Sequence, residues 1–510
     1  MTGDRIRRTR RRCTFERGQL ARMWSGFAGE EFSPHPSGPN GETALEVEVL
    51  DYLDDIHEDV VRYSTKWRPL IEKEGLRPLG DLPYLYGEDD VLRLTRTSCL
   101  IKDAAQKVAR SVCASDGAAG LSRLVFARLD ESPETAHGLP AEVHVMRPDV
   151  LRTPAGYRVL ELNMTPSVTG ASHPFLVEYY AEHPFVRALS EVWDVRFPDY
   201  LEGLAGYFGK VIGGGKGVVL DFNHETAYPS DPETYRTVRF LKKYGLDLDV
   251  ADFRDRRLEV NRKGVFFGGD RVSVVVCRFI PHFFYSKSGA LQPLLRAWMD
   301  GLVQLIGQPG DLASCSKLLL AALLEPRFQG LLSAQELDAV RKAVPPTYRT
   351  VPSVVEHRGE RIALADLLRL RKDDFVLKWG LGYGSETVHI GRFHDADAWS
   401  ALTGKALSET NWVAQEFVAP EVRMSPTVVD GRMEPFLHSP VESPFIVEDR
   451  FFGIHVRAAG VLGPRFEGDS FGNGKWALGA NIGAVLARKG GPAAVEGRPD
   501  ASGRGDHHSG

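Results

Sequence analysis

The sequence predicts a mixed α/β protein (α/β, or α+β), built on a central parallel-sheet unit with flanking helices. Three observations carry this. Gly217-Val-Val-Leu-Asp-Phe reads as a buried strand, Asp231-Pro232-Glu233 as a helix start, and Leu246-Asp-Leu-Asp-Val as the next strand after a stop at Gly245. An N-cap acid, a proline in the first turn and a terminal glycine are the local chemistry of a helix. Strand, crossover helix and strand imply a parallel pair with a right-handed connection. Helical spacing over 43–75, with apolar Leu45, Val49, Leu50, Leu53, Ile56 and Val60, predicts an amphipathic helix.

The remaining elements follow in order. A second helix is expected over 88–113, then short strands at Leu124–Leu129, Glu142–Met146 and Tyr157–Asn163, and a further strand from Val272 to Phe279. Helices are expected over Gln292–Leu305 and Lys317–Leu324, and Ser333-Ala-Gln-Glu336 is a capping box that opens another. Strands at Phe375–Lys378, Thr387–Ile390 and Trp412–Val418 close the pattern. No fixed period recurs, which excludes solenoids and propellers.

Composition bounds the function. The chain has 510 residues, enough for about three domains. Its 63 Lys+Arg against 68 Asp+Glu give a formal net charge of −5, contrary to the basic footprint of a dedicated nucleic-acid binder. No uncharged apolar run is long enough for a membrane span. Five scattered cysteines without a C-x-x-C pair suit a reducing cytoplasm and offer no disulfide or zinc framework. The Arg-rich start (1–40) and the Gly/Pro/Ala-rich end (488–510) are expected to be disordered tails.

Several residues carry chemistry. Phe375-Val-Leu-Lys378-Trp-Gly380-Leu-Gly382-Tyr-Gly384-Ser385 places a lysine at a strand end before alternate glycines. Glycine lets backbone amides approach a ligand closely, and the lysine adds a point charge, so the segment could lie over a triphosphate. The same residues fit an ordinary hairpin with an exposed lysine. Glu161 and Asn163 at i and i+2 of a strand share a face and offer two hard oxygens suited to Mg²⁺, or else form a solvent-facing polar pair. Arg147 lies one hairpin upstream. Arg278 ends an apolar strand, where it could fork onto a carboxylate or phosphate or make a structural ion pair.

Taken in order, Arg147, Glu161-x-Asn163, Arg278, Lys317, Lys378 with its glycines, Gln415-Glu416 and Glu448 before Phe452-Gly453 resemble the ATP-grasp ligases of the eukaryotic glutathione synthetase type and their circularly permuted, glutathionylspermidine synthetase-like relatives. The resemblance spans about Arg147 to Leu486. It implies an ATP-grasp fold with these parts: 41–210, helical region and metal-binding strands; 211–310, parallel α/β substrate domain; 311–487, nucleotide-binding region. It further implies ATP and Mg²⁺ as cofactors. Arg147 and Arg278 become catalytic and substrate-binding, joined at the substrate by Thr165, Ser167 and Gly170. Lys317, Lys378, Gly380, Gly382, Gly384, Ser385, Gln415, Glu416, Val418, Glu448 and Lys475 become ATP-binding. Glu161, Asn163 and Glu386 become metal ligands. The family has an acidic metal ligand where this chain has Gly382, and Glu386 is the nearest carboxylate.

The implied activity is ADP-forming carboxylate–amine ligation through an acyl phosphate, on small amino-acid or peptide-like substrates, with a natural-product role among the options. The expected partners are these small molecules and, by the family's habit, a second copy of the chain, with no nucleic acid and no membrane; the expected compartment is the cytoplasm. Two other readings stay open at this level: a nucleotide-binding protein without ligase activity, and a dinucleotide-dependent oxidoreductase using 217–280. In the latter case Gly213-Gly-Gly-Lys-Gly precedes its strand, whereas a dinucleotide fingerprint follows one.

Overall fold

The computed structural model describes residues 56, 58–70, 82–125, 142–164, 172–221, 232–252, 255–278, 288–382, 387–409, 411–419, 421, 423–429, 431–460 and 477–488. Both expected tails apart from Arg488 (the last residue of β20), much of the first expected helix, the expected N-cap Asp231, and Thr165, Ser167, Gly170, Gly384, Ser385, Glu386 and Lys475 lie outside the described residues.

Three larger sheets organise the chain. The first runs β1 (Tyr84–Gly87), β20 (Ala477–Arg488), β19 (Arg450–Gly460), β18 (Arg432–Val447), β2 (Val145–Thr153) and β3 (Gly156–Asn163). β17 (Arg423–Val429) pairs with β18, and β4 (Trp193–Arg196) with β20. Early and late segments thus interleave in one sheet. The second runs β6 (Leu248–Ala251), β5 (Lys216–Leu220), β9 (Asp270–Cys277), β8 (Gly264–Phe267) and β7 (Leu258–Asn261), with β10 (Gln304–Ile306) on β9. Its β6, β5, β9 and β10 pair in parallel, as the crossover pattern requires, while β7 and β8 add an antiparallel edge. The third is antiparallel: β11 (Thr347–Arg349), β16 (Trp412–Glu416), β14 (Phe375–Trp379), β15 (Val388–Ile390). A separate hairpin pairs β12 (Val354–His357) with β13 (Glu360–Ala363).

Helices bury the sheet faces. The helix Glu88–Val125 packs Ile101, Ala105 and Val108 on Met146, Val159, Leu162, Ile454 and Val456 of the first sheet. The helix Tyr200–Ile212 lies between the first two sheets, touching Phe445 and Val447 on one side and Val219, Val250 and Val274 on the other. Ser288–Met299 covers the opposite face of the second sheet, and Leu364–Leu370 with Ala396–Glu409 cover the third.

Three sequence expectations change. Leu124 and Val125 end the long helix instead of opening a strand, because an established helix propagates more cheaply than a new strand nucleates. The helix expected to reach Leu305 stops at Met299 in a Schellman motif: Gly301 has φ 70°, its N–H reaches Trp298 O, and the N–H of Leu302 reaches Ala297 O. Gln304–Ile306 is then free to form a strand. A hairpin of β18 and β19 stands where no strand is expected; Pro435, Pro440 and Pro444 fall within β18, and its ladder shifts register between Pro444 and Ile446.

Candidate functional site

Two strands set the first part of the site. β2 and β3 pair with Arg147 opposite Asn163 and Asp149 opposite Glu161, so all four side chains share one face. The second part comes from the third sheet, where Lys378 on β14 lies diagonal to Gln415 on β16. The third is Lys317. It opens the helix Leu318–Leu324, which is apolar on every side and buried from Leu318 through Leu323. Such a helix must enter the core, and it takes Lys317 in with it.

These elements meet. Lys317 Nζ donates to Glu161 Oε1 at 2.8 Å and to the Gly382 carbonyl at 2.5 Å. The Lys317 side chain is 4% exposed and that of Glu161 24%, so the pair is shielded without being sealed. The backbone N–H of Lys317 donates to Gly380 O at 2.8 Å, and Gly380 N–H to Asn411 O at 2.7 Å, which stitches the turn after β14 to the helix start. Lys378, 7% exposed, donates to Gln415 Oε1 at 2.6 Å and to Leu160 O at 3.3 Å. Gln415 in turn donates to Thr347 Oγ1 at 3.1 Å. Burial pushes the Lys378 ammonium down to about 8, Lys317 adds to the fall, and Glu161 and Asp149 oppose it.

A buried polar group adjoins them. Asn163 Nδ2 donates to Arg147 O at 2.9 Å and lies 3.5 Å from Asp149 Oδ1. Asp149 pairs with Arg457 at 2.5 Å and accepts from Ser443 Oγ at 3.0 Å. Burial works against the Asp149 charge, but Arg457 and Arg147 hold its carboxyl below the usual range. Burial and Arg457 lower the Arg147 guanidinium, while Asp149 supports it. Two lysines and two arginines therefore face two carboxylates, an excess of positive charge under partial cover. Such a place favours a polyanion.

The other expected residues fall elsewhere. Arg278 follows β9 and is committed to Asp221 at 3.2 Å and to Thr234 Oγ1. Glu448 sits at the β18–β19 turn with φ 49°, and its carboxylate meets Lys210 at 2.5 Å. Glu416 is ion-paired to Arg358 of the β12–β13 turn, and its N–H donates to Pro346 O at 2.8 Å. Phe417 N–H donates to Asp374 O at 2.7 Å, and half-buried Val418 follows. Sequence reasoning missed Ser443 and Arg457. Ser443 inside the run Val441–Val447 and Arg457 directly after Ile454-His-Val456 were the only signal, and it says nothing of pairing across strands.

Glu161 and Asn163 fit a small hard cation. One carboxylate and one amide oxygen, completed by water and phosphate oxygens, are the kind of donors Mg²⁺ takes. Among the described residues no group of three or more His, Cys, Asp or Glu stands as a self-sufficient metal site. Nor is any described helix long and apolar enough to cross a membrane.

No family model matches the chain, and no curated protein does. Among solved structures it is similar to a glutathione synthetase-like effector from Globodera pallida, at 12% identity over 83% of this chain and 96% of that one, with a TM-score of 0.49. It is also similar to a putative gamma-glutamylcysteine synthetase from Methylobacillus flagellatus KT (11% identity, 74% and 84% covered, TM-score 0.36). A third is D-alanyl-alanine synthetase A from Vibrio cholerae O1 (10% identity, 52% and 88% covered, TM-score 0.24). All three scores lie below 0.5, too low for a shared architecture to follow from them.

Proposed function

We propose that this protein is an ATP-dependent carboxylate–amine ligase of ATP-grasp type, with the triphosphate lying between the first and third sheets. The observation that carries this reading is the convergence of Lys317, Lys378 and Glu161, which are remote in sequence, at one partly covered cluster with surplus positive charge.

In this reading Lys317 and Lys378 hold phosphate oxygens, and the turn Gly380–Gly382 covers them. Glu161 and Asn163 would hold Mg²⁺, which supplies charge neutralisation on the phosphates. The substrate carboxylate attacks the γ-phosphorus and ADP leaves, giving an acyl phosphate. An amine then attacks the acyl carbon; phosphate leaves and a proton is released as the amide forms. No protein nucleophile is needed. The chain positions the reactants, stabilises the developing charge and excludes water from the acyl phosphate. Arg147 is the candidate for orienting the carboxylate. With Glu416 and Phe417 N–H already donating within the fold, Val418 becomes the candidate backbone contact for adenine.

The test is ADP release from Mg-ATP across pairs of amino acids and amines, with products identified by mass. Amine-dependent ADP release is expected, and Glu161→Ala should lower it by more than about tenfold, ~1.4 kcal/mol of barrier. Lys378→Ala should raise KM for ATP or lower kcat. Nucleotide binding with no turnover under any pair would favour a non-ligase nucleotide-binding protein. Gly382, in place of the family's acidic residue, is the observation that keeps this second reading in play.

A further inference from the structure

Among the described residues β3 is the last strand of the first sheet, and its outer edge turns toward the third sheet. Its ladder with β2 is not continuous. Asp149 pairs with Glu161, but the next residue of β2, Val150, pairs with Val159, so Leu160 is one residue more than β2 can match. That is a β-bulge. Burial records the same break. Val159 and Leu162 are both buried in the core beneath the Glu88–Val125 helix, three positions apart, whereas an unbroken strand spaces one face by even numbers.

The extra residue sits where both lysines arrive. Lys378 Nζ donates to the Leu160 carbonyl at 3.3 Å, and Lys317 Nζ to the carboxylate of the next residue, Glu161, at 2.8 Å. Lys378 comes from β14, and Lys317 from the start of the Leu318–Leu324 helix. A bulged residue is released from regular pairing and bends its strand, so its carbonyl can serve a partner outside the ladder. The contact is longer than the 2.6 Å bond from Lys378 to Gln415, which is the stronger of the two. What Leu160 adds is a second fixed point from a different sheet. One acceptor lets an ammonium pivot; two define where its charge lies.

We infer that Leu160 is a positioning residue for phosphate recognition: the carbonyl of its bulge seats Lys378 one residue from the carboxylate that seats Lys317, and so sets the separation of the two ammonium groups. This rests on the ligase reading above, which makes both lysines phosphate ligands. The role belongs to the backbone and to the number of residues in β3, and the leucine side chain has no part in it. Bulges beside functional sites characteristically re-aim the groups around them.

The experiment measures affinity of the full chain for a non-hydrolysable ATP analogue with Mg²⁺ by titration calorimetry, with thermal melts to follow folding. Leu160→Ala trims the side chain and leaves the bulge, so affinity should stay within about threefold of the parent. Deleting Leu160 sets Val159 beside Glu161, which keeps the Val150–Val159 and Asp149–Glu161 pairs and makes the ladder regular. The deletion should weaken the analogue roughly 10–100-fold, the size of a lost charge-assisted contact. In a Lys378→Met background the same deletion should cost at least about fivefold less, because a group that it positions is gone; a general structural defect would cost as much in either background. If the deletion does not fold, a glycine inserted between Leu160 and Glu161 takes its place. It moves the carbonyl, leaves both flanking pairs able to form, and should bring the same loss. A folded deletion, or the insertion standing in for it, overturns this inference alone if it binds the analogue as tightly as the parent or loses equally in both backgrounds. So does a Leu160→Ala loss as large as that of the deletion. A parent chain that binds no analogue overturns the ligase reading beneath it.

Discussion

Lys378 shows most directly what the site demands of one side chain. Its ammonium is buried against an amide oxygen and a backbone carbonyl, and burial takes it from 10.5 to about 8. The lowered value fixes the sign of a pH effect. Below pH 8 the lysine is charged both folded and unfolded, and its burial opposes folding by roughly 3 kcal/mol. Between pH 8 and 10.5 the unfolded chain binds more protons, so this penalty fades as pH rises. Lys378→Met should therefore stabilise the protein at pH 7, by up to that amount, and have little effect near pH 11. Urea unfolding at the two pH values measures it, and equal effects at both would refute the assignment. The same variant should lose affinity for ATP, since the ligand's phosphates are what would compensate the charge.

At the scale of elements, the turn after β14 is tightly constrained. A Cβ at Gly382 would lie 2.0 Å from Thr387 Oγ1, and the Gly382 carbonyl is the acceptor for Lys317. Gly382→Ala should shift the turn, break that contact and weaken ATP binding, with a far smaller change in melting temperature; titration calorimetry beside a thermal melt tests this. The capping box at Ser333 is a purely structural counterpart. Ser333 Oγ accepts from Glu336 N–H, and the Glu336 carboxylate accepts from Ser333 N–H at 2.7 Å. Ser333→Ala should cost about 1 kcal/mol of stability without altering nucleotide affinity.

At the scale of the molecule, the Tyr200–Ile212 helix is the joint between the first and second sheets. Tyr200 stacks on Phe445 with ring centroids 3.9 Å apart, and both are fully buried. Phe445→Ala should destabilise the chain by about 3–5 kcal/mol. Chemical denaturation of this variant beside the parent chain measures the loss.

Local patterns made much of the fold legible. The proline-started helix, the strands at Lys216–Leu220 and Leu248–Ala251, the capping box and the strand carrying Lys378 all depend on residues within a few positions of one another. Glu161 and Asn163 could be placed on one face from strand periodicity alone. The sequence by itself thus determined the capping box at Ser333, the helix stop at Gly245, the parallel crossover and which side chains could offer charge or hard oxygens. Only the tertiary structure decided that Lys317 meets Glu161, that Gln415 braces Lys378, that Arg278 turns to Asp221 and Glu448 to Lys210, and that Arg457 reaches Asp149. The physical reason is that hydrophobic periodicity specifies a face but no partner. Partners are chosen when distant strands bury those faces together, and a buried charge then takes whichever counter-charge that packing brings within reach.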